Sequence, residues 1–153
     1  MAAKCIMGLD PGLSGAVAFW FPEIPEKISI YDVPVVADAI NCSELADIIK
    51  TYEPDMAVIE MVGARPGQGV SSMFKFGMAF GMARGVIGSL MIPQHYVSPA
   101  KWKKSFNLGA DKEAARDLAI KLWPQSEAFR RKKDHGRAEA ALLCRYGVGK
   151  VAF

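Results

Sequence analysis

Apolar positions in this chain gather into short runs that stop at turns or at carboxylates, with amphipathic stretches between them. The first run, Lys4 to Leu9, ends at Asp10-Pro11-Gly12, the pattern of a buried strand closed by a turn. Gly15 to Phe21 follows at once, so the two should form an antiparallel hairpin through Pro11–Ser14. Lys27 to Val33 reads as a third strand after the turn over Pro22–Glu26. Ser43 is then expected to cap a helix, because early acids, a late lysine and helically spaced apolar residues run to Lys50 before Pro54 ends it.

Met56 to Glu60 reads as another buried strand, this one ending in a carboxylate. Val62 to Ser72 is rich in glycine and is expected to be a loop. Met73 to Leu90 carries a helical pattern with Gly77, Gly81, Gly85 and Gly88 along one side. Such glycines cost a helix roughly 1 kcal/mol each relative to alanine, so a close packing partner is expected on that face. His95 to Val97 is a short strand, Ser98-Pro99 caps a helical turn bearing Lys101, Lys103 and Lys104, and Asp111 to Leu122 is an amphipathic helix. The basic run Arg130–Lys133 leads into a last helix from about Gly136 to Tyr146. A hairpin followed by strand and helix alternation predicts an α/β fold: a ribonuclease-H-like mixed five-stranded sheet flanked by helices.

Composition narrows the class. At 153 residues, 51% hydrophobic and 23% charged, the chain has the balance of one globular domain over residues 1–153, not of a disordered tail or a disulfide-stapled miniprotein. Its three cysteines are odd in number and widely spaced, which excludes a disulfide framework and a Cys-x-x-Cys metal site and fits a reducing compartment. Neither a leader segment nor an apolar stretch of about 20 residues is seen, so a cytoplasmic protein without membrane association is expected. The net charge of +3 hides an uneven distribution. Six basic and ten acidic side chains lie in the first hundred residues, thirteen and six in the last fifty-three.

Asp10 and Glu60 both end strands that are otherwise almost wholly apolar. If those strands are neighbours, the two anions stand side by side, which is tolerable only with a shared proton or an intervening cation. Hard oxygen donors suit Mg²⁺, with Mn²⁺ able to substitute. Asp10 alone is equally well explained as a turn residue. Glu139, ahead of the apolar stretch of the last helix, is a third acid; His135 lies four residues earlier on the same helical face, and Asp134 one further back. Asp134 is also well explained as an N-cap or as compensation of the helix dipole. Two strand-end acids and a helix acid could hold a pair of metal ions about 3.5–4 Å apart for in-line attack on a phosphodiester.

These pieces, taken in order, resemble the RuvC-type Holliday junction resolvases over nearly the whole chain. They are Gly8-Leu9-Asp10-Pro11-Gly12 with Ser14-Gly15, Val58-Ile59-Glu60, the helix Phe74 to Gly85, Val97 to Lys101, Ala110-Asp111-Lys112 and Ala138-Glu139-Ala140. The resemblance implies that Asp10, Glu60 and Glu139 bind metal, Glu139 standing where Asp is more usual. That family's acid or histidine three residues before the last acid falls on Gly136, leaving Asp134, as a metal ligand, and His135, as ligand or proton carrier, as rivals for the fourth role. Lys101 and Lys112, eleven residues apart, match two family lysines near the cleaved phosphate. A compact ammonium there offsets charge developing in the transition state, although a solvated helix surface would carry the same residues.

Arg65 and Gln68 in the glycine-rich loop, Lys75 after it, and Lys101, Lys103, Lys104, Lys112, Arg130, Arg131, Lys132 and Lys133 are the expected DNA contacts. Phe74, Phe76 and Phe80 are better read as core or subunit-interface residues, because the glycine-striped helix resembles the family's dimer-forming helix. A homodimer suits a four-way junction, whose two scissile phosphates are related by a two-fold. The expected activity is a Mg²⁺-dependent endonuclease making paired nicks in four-way or branched DNA, in a bacterial cell or a phage-infected host, with no small-molecule cofactor. Two alternatives stand beside it: a ribonuclease-H-like nuclease for other branched DNA or RNA-containing substrates, and a non-catalytic structure-selective DNA-binding module. An actin-like nucleotide binder would need a longer, two-lobed chain with a second phosphate loop.

Overall fold

The computed structural model describes residues 5–63 and 66–150. Strands β1 (Ile6–Asp10) and β2 (Ala16–Trp20) pair antiparallel, with Ile6 opposite Trp20 and Asp10 opposite Ala16. The hairpin turn needs glycine: Gly12 has φ of 115°, and a Cβ on Gly15 would collide with the carbonyl oxygen of Asp10. β3 (Ser29–Asp32) adds antiparallel to β2. A two-residue hairpin of β4 (Val35–Val36) and β5 (Ala39–Ile40) then turns through Ala37 and Asp38, both at positive φ. The expected hairpin and third strand are present; β4 and β5 were not anticipated, since Ala37 gives no signal for the left-handed backbone it adopts.

Helix α1 (Cys42–Tyr52) is capped by Asn41, whose side chain accepts from the Glu44 amide at 3.2 Å, so the expected cap at Ser43 shifts by two residues into the helix interior. β6 (Met56–Glu60) lies parallel to β1, and β7 (Gln94–Val97) parallel to β6. Between them runs α2 (Val70–Ser89), which takes in Val70–Ser72 from the expected loop; its N-cap, Gly69, makes no side-chain cap bond that a sequence could signal. Then follow α3 (Pro99–Ser105), capped by Ser98, α4 (Lys112–Leu122), capped by Asp111, a single 3-10 turn over Lys132–Asp134, and α5 (His135–Lys150).

The sheet order is β3-β2-β1-β6-β7, mixed and five-stranded as expected. Strand alternation sends Ile6, Ala18, Trp20, Met56 and Val58 to one face, where they pack with Trp102, Trp123, Phe129 and the apolar residues of α5. Met7, Leu9, Val17, Phe19, Ala57 and Ile59 face the other way, against Leu45 and Ile49 of α1 and Ala79, Ala83 and Ile87 of α2. Each fully buried large apolar side chain contributes on the order of 1.5–3 kcal/mol, so two such cores fix the sheet rigidly between its helices. Among the described residues, no helix is long and apolar enough to cross a membrane.

Candidate active site

The same alternation that buries Ile6 and Met56 carries Asp10 and Glu60 to the α5 face. β1 and β6 are adjacent and parallel, with Leu9 opposite Ile59, so the next residues, Asp10 and Glu60, emerge together at the C-terminal end of the sheet. α5 crosses this face at very short range. A Cβ on Gly8 would run into the carbonyl oxygen of Ala140, and one on Gly136 would stand 3.1 Å from Asp10 Oδ2 and 3.3 Å from the Ser14 carbonyl. Close approach of the helix brings Glu139 down onto the two strand-end acids. One carboxylate oxygen from each of Asp10, Glu60 and Glu139 lies within 4.8 Å of the others, with Glu60 and Glu139 buried.

Such a cluster cannot carry three charges unaided. At that separation each ionised pair repels by on the order of 3 kcal/mol at an effective dielectric near 20. Burial first, then the charges of Glu139 and Glu60, push the Asp10 carboxyl well above its ordinary value, against the opposing pull of Lys112 and Lys103. Burial likewise raises Glu139, again offset in part by Lys103 and Lys112. An all-oxygen donor set strained in this way fits a hard divalent cation, which would replace the missing protons.

The acids sit in an open cleft of about 240 Å³ lined also by Ser14, Lys103, Lys112, His135 and Gly136. Lys112 is the first residue of α4 and reaches the cleft as the resemblance implied. Lys101 does not line it; Lys103 does. Residues two apart on a helix project to opposite sides, so α3 can offer only one of the two, and burial of Trp102 fixes which. Lys103 stands with its ammonium over the Trp102 ring, 5.6 Å from the centroid, while the indole Nε1 donates to Glu60 Oε2 at 2.7 Å.

Of the two rivals for the fourth role, His135 lines the cleft and Asp134 does not. Asp134 is buried on the far side of the turn, accepting from the Arg131 amide at 2.7 Å and from Arg131 Nε at 3.0 Å, with Arg137 at 3.7 Å. Burial would raise its carboxyl, but these Arg131 hydrogen bonds, with the charges of Arg137 and Arg131, hold it below its ordinary value. The structure does not bring Asp134, expected as a metal ligand, to the other three acids: its oxygens face Arg131 and Arg137, and Arg137 ties the start of α5 to β3 through a bidentate pair with Asp32, both contacts at 2.8 Å. At Gly136, where the resemblance would put an acid, a side chain would crowd Asp10 Oδ2 and the Ser14 carbonyl.

The expected DNA contacts scatter. Gln68, Lys75, Lys101 and Lys104 are exposed, and Lys75 lies 3.7 Å from Asp38; Arg65 is outside the described residues. Arg130 pairs with Glu127 at 3.2 Å and Arg131 with Asp134, leaving Lys132 and Lys133 exposed beside a second cleft that adjoins the first across His135. Trp102 was the residue whose place at the site a sequence reading missed; Lys103, expected as a DNA contact, stands beside the acids where Lys101 was expected. A tryptophan amid Lys101, Lys103 and Lys104 was the available signal, since an indole on so polar a turn needs a reason to be buried.

Strand-end carboxylates crossed by a helix acid on a mixed five-stranded sheet define a ribonuclease-H-like fold with an acidic edge that could hold a cation. Comparison with solved structures agrees on the fold. RuvC of Thermus thermophilus in complex with Holliday junction substrate superposes with a TM-score of 0.66 at 13% identity, covering 94% of each chain. A second Thermus thermophilus RuvC structure gives 0.62 at 13% identity, again over 94% of each chain. The yeast mitochondrial Holliday junction resolvase gives 0.57 at 16% identity, covering 92% of this chain and 76% of that one. No protein-family model matches the sequence, and no curated protein matches it.

Proposed function

We propose that this chain is a divalent-cation-dependent endonuclease that resolves four-way DNA junctions. The observation that carries the reading is the convergence of Asp10, Glu60 and Glu139 within 4.8 Å, in a cleft that also holds Lys103 and Lys112. Acids alone would suit a phosphate-repelling surface; acids with flanking ammonium groups suit a phosphodiester brought to a cation. The three carboxylates would hold Mg²⁺, or Mn²⁺ in its place, and the cation when bound supplies Lewis-acid polarisation of a phosphate oxygen and a lowered pKa for water. Lys103 and Lys112 contact non-bridging oxygens and offset the charge that develops there. His135, which lines the same cleft, takes or gives a proton as the bond to the leaving oxygen breaks.

Four-way substrate choice is supported by the fold shared with structures described as RuvC with Holliday junction substrate and as a Holliday junction resolvase. A two-fold dimer is supported by α2. Val70 and Phe74 are 85% and 70% exposed there, and a Cβ at Gly77, Gly81 or Gly85 would meet nothing within 4 Å, so the close partner these glycines call for is not among the described residues. A second copy gives each scissile phosphate its own acid cluster.

The test is cleavage of a synthetic four-way junction. Wild type with Mg²⁺ should release paired nicks and be inert in chelator, and Asp10→Asn should bind the junction while losing at least about 10²-fold in rate, the scale on which one essential electrostatic group acts. Wild-type turnover by Asp10→Asn, or binding without any cleavage by the wild type, overturns the reading. Preference for RNA–DNA hybrid over the junction would move the substrate, not the chemistry.

A further inference from the structure

Trp102 is completely buried, yet its polar edge is spent on a carboxylate and not on a backbone group. The other two tryptophans behave differently: Trp20 Nε1 and Trp123 Nε1 both donate to the Pro25 carbonyl, at 3.1 and 3.0 Å, on the far side of the same core. Trp102 Nε1 instead donates to Glu60 Oε2 at 2.7 Å, short for a nitrogen donor and typical of a charge-assisted bond. Its ring face meanwhile sits beneath the Lys103 ammonium. The indole itself is fixed by packing, edge-on to Phe106 with centroids 6.3 Å apart, and by the Ser98 cap that starts α3.

We infer that Trp102 is the positioning residue of this active site, one rigid indole that orients the Glu60 carboxylate for the cation with its edge and places Lys103 over the cleft with its face. The inference rests on the proposed function, since it assumes that Glu60 receives a divalent cation. A carboxylate at the end of a strand can rotate about its terminal torsion, and each rotation moves both oxygens relative to Asp10 and Glu139. A hydrogen bond to one oxygen narrows that freedom and so fixes where the other oxygen stands relative to Asp10 and Glu139. Outer partners of metal-binding side chains act in this way, and removing them typically weakens metal affinity about 10- to 100-fold. A lysine or arginine could not substitute. A cation against Glu60 would compete with the divalent ion for the same charge, whereas the neutral indole donor orients without neutralising.

Trp102→Phe deletes the donor while keeping an aromatic ring, though a smaller one. Phe106→Leu loosens the same apolar pocket and leaves the donor in place. Binding of Mn²⁺ alone to the full chain is measured by calorimetry, beside the melting temperature and the Mg²⁺ dependence of junction cleavage. The expected result is a roughly 10-fold weaker Mn²⁺ affinity in Trp102→Phe, with a raised half-saturating Mg²⁺ concentration for junction cleavage. Phe106→Leu should melt lower and bind Mn²⁺ as wild type does. Wild-type affinity in Trp102→Phe overturns the inference, as does equal weakening in Phe106→Leu, which would make packing the cause. An absence of Mn²⁺ binding by the wild-type protein would overturn the proposed function itself, so the two failures are told apart.

Discussion

Asp10 is held ionisable at a cost. Burial and the charges of Glu139 and Glu60 raise its carboxyl well above the value it has in the unfolded chain. Above the ordinary carboxylate range the unfolded chain has released this proton while the folded one still binds it, so stability falls as pH rises through the folded value. The contribution is complete only below about pH 4, where both states hold the proton. Asp10→Asn removes the ionisation, so in chelator at pH 7 the variant should melt higher than wild type. Even about 1 kcal/mol of relief shifts the melting temperature by about 2–4 °C in a chain of this size. The two proteins should converge near pH 4, and added Mg²⁺ should raise wild type and not the variant. A wild type that melts higher than Asp10→Asn in chelator at neutral pH would show the cluster to be relaxed without a cation.

At the scale of elements, the site is made by how closely α5 lies on β1. Gly8 and Gly136 are the contact points, and neither glycine is required by backbone torsion: what each needs is the absence of a side chain. Gly8→Ala would press a methyl against the Ala140 carbonyl and lift the helix that carries Glu139. The expected cost is about 1–3 kcal/mol, from overpacking, read as a lower denaturant midpoint, and the lifted helix should weaken Mn²⁺ binding as well. An alanine variant as stable as wild type, with unchanged affinity, would show that α5 is not held at this distance. The strand ends were legible because an apolar run ending in an acid states its own face and its own terminus, so Asp10 and Glu60 could be found from pattern alone. Glu139 needed only the helical period. The interhelical and helix-to-sheet facts were not legible. Which of Lys101 and Lys103 faces the cleft depends on the rotation of α3, set by burial of Trp102, which has no local signature. Asp134 is held by Arg131 only three residues away, but whether that acid turns to its own arginine or to the strand-end acids is decided by the path of the turn, which the residue types do not state.

Across the whole molecule the sequence's thirteen basic residues in the last fifty-three overstate what is available to phosphate. Arg116 is bound to Glu113 at 2.7 Å, Arg130 to Glu127, Arg131 to Asp134 and Arg137 to Asp32, so a third of that positive charge is already matched within the fold. Of the nine that remain, Lys103 and Lys112 line the acid cleft, Lys133 lines the adjoining one, and exposed Lys132 precedes Lys133 in the chain. Junction affinity should fall linearly with salt on a logarithmic scale, each phosphate neutralised contributing a slope of roughly 0.9 for duplex arms. Replacing Lys132 and Lys133 together by alanine should reduce that slope by about 2 with little loss of stability. Arg131→Ala should do the reverse, lowering the melting temperature because it strips Asp134 of its main donor, while leaving the slope nearly unchanged. If Arg131→Ala moves the slope as far as the double lysine variant does, the ion pairs open when DNA binds, and the basic run acts as the continuous phosphate track that its sequence suggests.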